Sequence, residues 1–123
     1  MSLWRARASL SLSKGPRRMS AYCRYEILLP LAFNDGRPVP QEFLAEAAAE
    51  IQRRFGAVSW ESQAIEGMWR AGGVGYHDRL NRIYVDAEDT SENRQFFIKL
   101  KHRLKTRFQQ LDLWLTVHPI EIL

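Results

Sequence analysis

Hydrophobic and polar positions change period several times along the chain, and each change marks an element. Residues 22–31 (YCRYEILLPL) are aromatic-rich and then continuously apolar. That predicts a buried strand stopped near Pro30. Asn34, Asp35 and Gly36, followed by Pro38 and Pro40, read as a loop. Over residues 41–55, Phe43, Leu44, Ala47, Ala48, Ile51 and Phe55 recur at helical spacing. Glu42, Glu46 and Glu50 lie off that stripe early, Arg53 and Arg54 late, as the helix dipole favours. Gly56 is placed to end the helix in a left-handed conformation.

Residues 57–69 (AVSWESQAIEGMW) alternate at Val58 and Trp60, break, and resume at Ile65. The pattern predicts a strand with a bulge near Ser62 and Gln63, ending about Arg70. Gly72, Gly73 and Gly75 predict a hairpin turn. Residues 79–85 (RLNRIYV) return, with Leu80, Ile83 and Val85 inward. Asp89, Thr90, Ser91 and Glu92 form a helix-start cluster, Asp89 and Glu92 at capping-box spacing. The helix runs to about Gln109 on a stripe of Phe97, Leu100, Leu104 and Phe108, flanked by Phe96 and Leu111. In residues 111–117 (LDLWLTV), Leu111, Leu113, Leu115 and Val117 face one way and Asp112, Trp114 and Thr116 the other. His118 and Pro119 break this strand; Ile120, Ile122 and Leu123 could form a short edge strand.

The order is β-α-β-β-α-β. It predicts an α+β fold, the ferredoxin-like split βαβ plan: an antiparallel four-stranded sheet with two helices on one face. The length of 123 residues fits one domain with a core of its own. Its 46% apolar and 26% charged residues exclude a disordered chain, a rod or a disulfide scaffold. No apolar run reaches the roughly 18 residues of a membrane span.

Charge changes this picture only at one end. The net charge is +4, but residues 1–18 hold five basic residues and no acid. The body keeps thirteen bases against all fourteen acids, a net of −1. Residues 1–20 therefore read as a disordered basic tail and 21–123 as the domain. Met19, directly before the first strand, marks an alternative start, with the tail a misassigned extension. Cys23 is the one cysteine, which excludes an internal disulfide and fits a cytoplasmic setting. Within an apolar strand it reads as a buried thiol; the alternative is a reactive nucleophile.

Two helices cover one sheet face and leave the other open. Trp60, Trp69, Trp114, Tyr84 and Tyr22 are candidates to line it, and large aromatics in water call for a partner. A second copy covering that face gives a homodimer; a small-molecule ligand is the other occupant, with Trp69 and Trp114 as ligand-binding residues. His77, His102 and His118 lie too far apart for a metal site, so no metal or cofactor is expected. His77 beside Asp78 reads as a surface loop. His118, closing the strand that carries Trp114, is the candidate catalytic base. Gly72–Gly75 lacks the Lys-Ser/Thr of a phosphate loop and opens a strand. Lys99, Lys101, Arg103 and Lys105 give the second helix a basic stretch and are candidate phosphate-binding residues. The third strand lacks the aromatic motif of RNA-recognition domains, which disfavours nucleic acid.

The strand YEILLPL, loop NDGRPVP, helix end RFG, segment GMWR and close KTRFQQLDLW resemble a family of small, uncharacterised bacterial α+β proteins of ferredoxin-like plan. The resemblance covers roughly residues 22–123 and implies a fold, with no activity to carry over. More distantly, the plan is similar to dimeric α+β barrel proteins, among them small monooxygenases, by fold alone. Three functions follow as expectations. The first is a non-catalytic binding or interaction module, homodimeric through the open sheet face. The second is a cofactor-independent monooxygenase or isomerase using His118, with Trp69 and Trp114 lining its pocket. The third is a phosphate-backbone binder through the second helix.

Overall fold

The computed structural model describes residues 21–61 and 63–123. The basic tail and the alternative start at Met19 lie outside them, as does Ser62. The elements are β1 (Tyr22–Pro30), α1 (Gln41–Phe55), β2 (Ser59–Trp60), β3 (Ile65–Ala71), β4 (Val74–Glu88), α2 (Ser91–Arg107) and β5 (Trp114–Ile120). All strand pairs are antiparallel. β5 pairs with β1, β1 with β4, and β2 and β3 both pair with β4. β2 and β3 are thus one interrupted edge strand, and the sheet has the ferredoxin-like order with two helices on one face.

Alternation along the two central strands decides which face the helices cover. Cys23, Tyr25, Ile27 and Leu29 of β1 and Ile83, Val85 and Ala87 of β4 are buried. Against them α1 places Ala47, Ala48 and Ile51, and α2 places Phe97, Leu100 and Leu104. An aromatic cluster joins the layers. Tyr25 stacks on Phe97 at 4.6 Å, Phe55 stacks on Phe97 at 5.5 Å, and Phe96 meets Phe97 edge-on at 5.2 Å. The buried Tyr25 hydroxyl donates to the Glu88 carbonyl at 3.0 Å, which keeps its polar tip satisfied.

Helix ends follow local chemistry. Gly56 closes α1 at φ 78°, in the left-handed region, and donates to the Gln52 carbonyl. Thr90 caps α2, its hydroxyl accepting from the Asn93 amide at 3.1 Å. The expected Asp89–Glu92 box is not formed; Asp89 instead accepts from Arg94 at 2.7 Å. Both residue types can cap, and Thr90, one residue later and in extended conformation, takes the position.

β4 is much longer than expected. Residues 80–88 pair with β1, but residues 74–79 pair only with β3 across the Gly72–Gly73 turn. Both turn glycines have positive φ, 58° and 79°, as a two-residue hairpin loop demands. The hairpin therefore projects as an arm, about 20 Å beyond the end of β1 at roughly 3.3 Å per residue. Every residue from 68 to 77 is exposed. With both sides wet, the arm has no buried face to impose alternation, so the pattern understates the strand.

β5 also differs. It begins at Trp114 and runs through Pro119 to Ile120. Pro119 sits opposite Cys23 on an edge strand, where its missing N–H faces outward and breaks no ladder bond. Leu111, expected inward, precedes the strand and is 94% exposed. Residues 121–123 are exposed and form no further edge strand.

Candidate functional site

The uncovered face is charged at its centre around Tyr84, and its tryptophan, Trp114, stands at the margin. Strand parity and register place Arg24, Glu26, Arg82, Tyr84, Asp86, Thr116 and His118 on it. Arg24 donates two parallel bonds to Asp86, at 2.8 and 3.0 Å. Arg82 donates to Glu26 at 2.9 Å and to Glu61 at 2.5 Å. Both guanidiniums stand over the Tyr84 ring, at 4.5 and 4.9 Å from its centroid, within cation–π distance. The Asp86 and Glu26 side chains are only 15% and 17% exposed. Pairing and half-burial make this a rigid network. Asp86 raises the Arg24 pKa above its ordinary value, first through their hydrogen bonds.

The expected aromatic lining is corrected at Trp60. Tyr22 and Tyr84 are on the open face by strand parity, Tyr84 in contact with two arginines. Trp60 pairs with Ile83 and shares the helix-covered side of the edge strand, where it stays exposed. Trp69 lies on the arm, stacked on Tyr76 at 4.4 Å, its indole N–H donating to Asp78 at 2.6 Å. Trp114 opens β5 opposite Leu28 and is 68% exposed. From Trp114 to Trp69 is three strand spacings across the sheet and six residues along β4, roughly 25 Å. The fold of one chain does not bring these two tryptophans together.

His118 is exposed, beside Arg24 in register. Its Nε2 bonds to the Thr116 hydroxyl at 2.8 Å and lies 3.9 Å from Glu26. A carboxylate–histidine–hydroxyl relay needs one partner on each ring nitrogen. Here both partners address Nε2, so the three groups do not form that relay. His77, on the arm, bonds to Glu66 at 2.8 Å. Cys23 is buried against the helices, and burial, with the Asp89 charge behind it, pushes its thiol pKa up. That opposes thiolate formation.

The basic stretch of α2 divides into two rows on opposite flanks, since two residues turn a helix by about 200°. Lys101 pairs with Asp112 at 2.9 Å, and Lys105 lies one turn on, its charge also felt by Asp112. Lys99 is exposed on the other flank. There Arg103 donates to Glu50 of α1 at 2.9 Å, and Arg107 to Glu50 at 3.3 Å. Burial pushes the Glu50 carboxyl up, but the bonds and charges of Arg103 and Arg107 outweigh it and leave the pKa below its ordinary value. These residues border a cleft of about 480 Å³ lined by Glu50, Arg53, Arg54, Phe96 and Arg103. In the sequence the helix dipole is enough to account for Arg53 and Arg54; only the packing of α1 on α2 brings them beside Arg103.

Among the described residues no group of three or more His, Cys, Asp or Glu is placed to hold a metal ion. No described helix is long and apolar enough to cross a membrane.

Comparison with family models gives no match, and comparison with curated proteins gives none either. Solved structures do resemble this one. A divalent cation tolerance protein (CutA1) from Thermus thermophilus superimposes with a TM-score of 0.58 at 17% identity, over 82% of this chain and 85% of that one. CutA1 from Oryza sativa gives 0.58 at 12% identity, over 84% and 83%. A phage SAM lyase in complex with S-methyl-5'-thioadenosine gives 0.60 at 16% identity, over 81% of each chain. At such identities the likeness shows the ferredoxin-like fold that these proteins share with this chain.

Proposed function

We propose that the chain is a non-catalytic binding module that works as a homodimer, a second copy being held against the open sheet face and the arm. The arm carries this reading. Met68, Trp69, Val74 and Tyr76 stand exposed on it, and a two-stranded hairpin alone in water is marginally stable. Clustered exposed apolar groups mark contact surfaces. Trp69 and Tyr76 share the side of the open face by strand parity. Two copies related by a two-fold axis can each lay the arm across the other's face, towards Trp114. That is an isologous contact.

Charge favours a second copy as the occupant. Arg24 and Arg82 alternate with Glu26, Glu61 and Asp86, so the face carries both signs and attracts no single-sign partner. A self-docked face can set each sign near its opposite. The shared approach of Thr116 and Glu26 to one nitrogen of His118 supports a binding role over a catalytic one. A cytoplasmic setting suits the buried lone thiol of Cys23. The solved neighbours include a divalent cation tolerance protein and a SAM lyase, and a fold that carries both selects neither.

Sedimentation of the full chain tests this. The expected mass is twice the 14.4 kDa of the chain. The Trp69→Ser/Tyr76→Ser variant should sediment as a monomer while still unfolding cooperatively in urea, since neither residue belongs to the core. A wild-type monomer at high micromolar concentration, or a variant that stays dimeric, would refute the proposal.

A further inference from the structure

The cleft between α1 and α2 lies in the helix layer, on the opposite side of the sheet from the face used above. Its lining is unusual in charge. Arg53, Arg54 and Arg103 meet one carboxylate, Glu50. Ion pairing explains Arg103 and Arg107, which hold Glu50 between them. It does not explain the other two. Among the described residues Arg53 has no hydrogen-bond or ion-pair partner, and Arg54 bonds only to the Asn93 amide oxygen, at 3.1 Å, through Nη2. Arg103 commits one nitrogen to Glu50, so its remaining donors are open. Arg107 Nη1 is buried without a hydrogen-bond partner.

Position is fixed as well as charge. The Arg54 guanidinium lies 5.5 Å from the Phe55 ring centroid and 5.1 Å from that of Phe96. These rings pack on the Phe97 cluster of the core. A guanidinium backed by two rings is pre-organised, so less entropy is lost when it binds.

We propose that this cleft binds the phosphate of a small organic phosphate, a phosphomonoester or a diphosphate, with Arg53, Arg54 and Arg103 as its donors. Three guanidiniums against one carboxylate leave a charge of +2, which matches a dianion. Their planar forks suit the terminal oxygens of a phosphate, which accept more hydrogen bonds than a carboxylate can. Phe96 offers an apolar wall to the organic part, and the cleft is shallow and open to solvent, so the phosphate rather than enclosure carries the binding. A nucleic-acid backbone would need a longer basic track. Lys99 adds one more cation on this flank, while Lys101 and Lys105 lie on the other flank of α2 beside Asp112.

The probe is inorganic pyrophosphate, titrated into the full chain while the arginine Nε–Hε resonances are followed by NMR. Those signals separate the cleft from the arginines of residues 1–18, which also attract anions. Saturable shifts are expected at Arg53, Arg54 and Arg103. Arg53→Ala should weaken binding about tenfold, the effect of one charge-assisted bond, and Arg53→Lys should restore part of it. Arg53 is exposed, so its replacement should leave the thermal midpoint unchanged. The proposal is overturned by the absence of saturation, by shifts confined to residues 1–18, or by an Arg53→Ala affinity equal to wild type. Binding to duplex DNA that depends on Arg53, without binding to pyrophosphate, would overturn it too.

Discussion

Glu50→Gln separates structural from ligand-binding roles in the helix layer. The Glu50 side chain is 20% exposed and accepts one bond each from Arg103 and Arg107. Hydrogen bonds to charged groups contribute about 1.5–3 kcal/mol each when shielded, and exposed ion pairs about 0.2–1 kcal/mol. Arg103 is half exposed and Arg107 about one-quarter. The pair of bonds therefore falls between those limits, at about 1–2 kcal/mol in total at neutral pH. Its pH dependence has a definite sign. The folded pKa is depressed below the ordinary 4.5. The stabilisation is therefore present in full above that value and is lost as pH falls through the folded pKa. Urea unfolding of wild type and Glu50→Gln at several pH values checks this. The stability gap should be about 1–2 kcal/mol at pH 7 and shrink to a few tenths below the folded pKa. A gap that is constant, or that widens with acid, would refute the argument, since neither follows from an ionised Glu50. The same variant removes the cleft's negative charge, so pyrophosphate should bind it more tightly than wild type.

Two further outcomes follow from the core. Phe97→Ala removes the ring on which Tyr25, Phe55 and Phe96 converge and should lower stability by about 3–5 kcal/mol in chemical denaturation. A loss under about 1 kcal/mol would mean the cluster can collapse into the space. Cys23 is 2% exposed with a raised pKa, so a thiol reagent at pH 8 should label the native chain far more slowly than the urea-unfolded chain. Equal rates would contradict its burial.

Much of the fold is legible in the chain because the information is local. The stripes Ala47, Ala48, Ile51 and Phe97, Leu100, Leu104, Phe108 are the buried helix faces. Gly56 ends α1 because a left-handed residue is needed there. The element order then leaves few sheet topologies. Local information fails where burial on one side is missing. The arm loses its alternation, a shift of one residue puts Trp60 on the wrong face, and Pro119 reads as a stop although an edge strand tolerates it.

The candidate sites are legible only in part. Trp69, Trp114, His118 and the cations of α2 can be named from the chain. Their company cannot. Glu26, Arg82 and Glu61 come from separate stretches of the chain, and Arg53, Arg54 and Arg103 from two helices, so no window of sequence contains either cluster.

The sequence by itself determined the order of the elements, the buried stripes of the two helices and of β1, and the concentration of basic charge in residues 1–18, because periodicity, capping and charge act between near neighbours. Only the tertiary structure decided that the open face carries a network of paired charges, that the hairpin extends as an arm, and that arginines of two helices share one cleft. Strand register and helix packing are set by the whole core, and a slip of one residue in either exchanges the groups that meet.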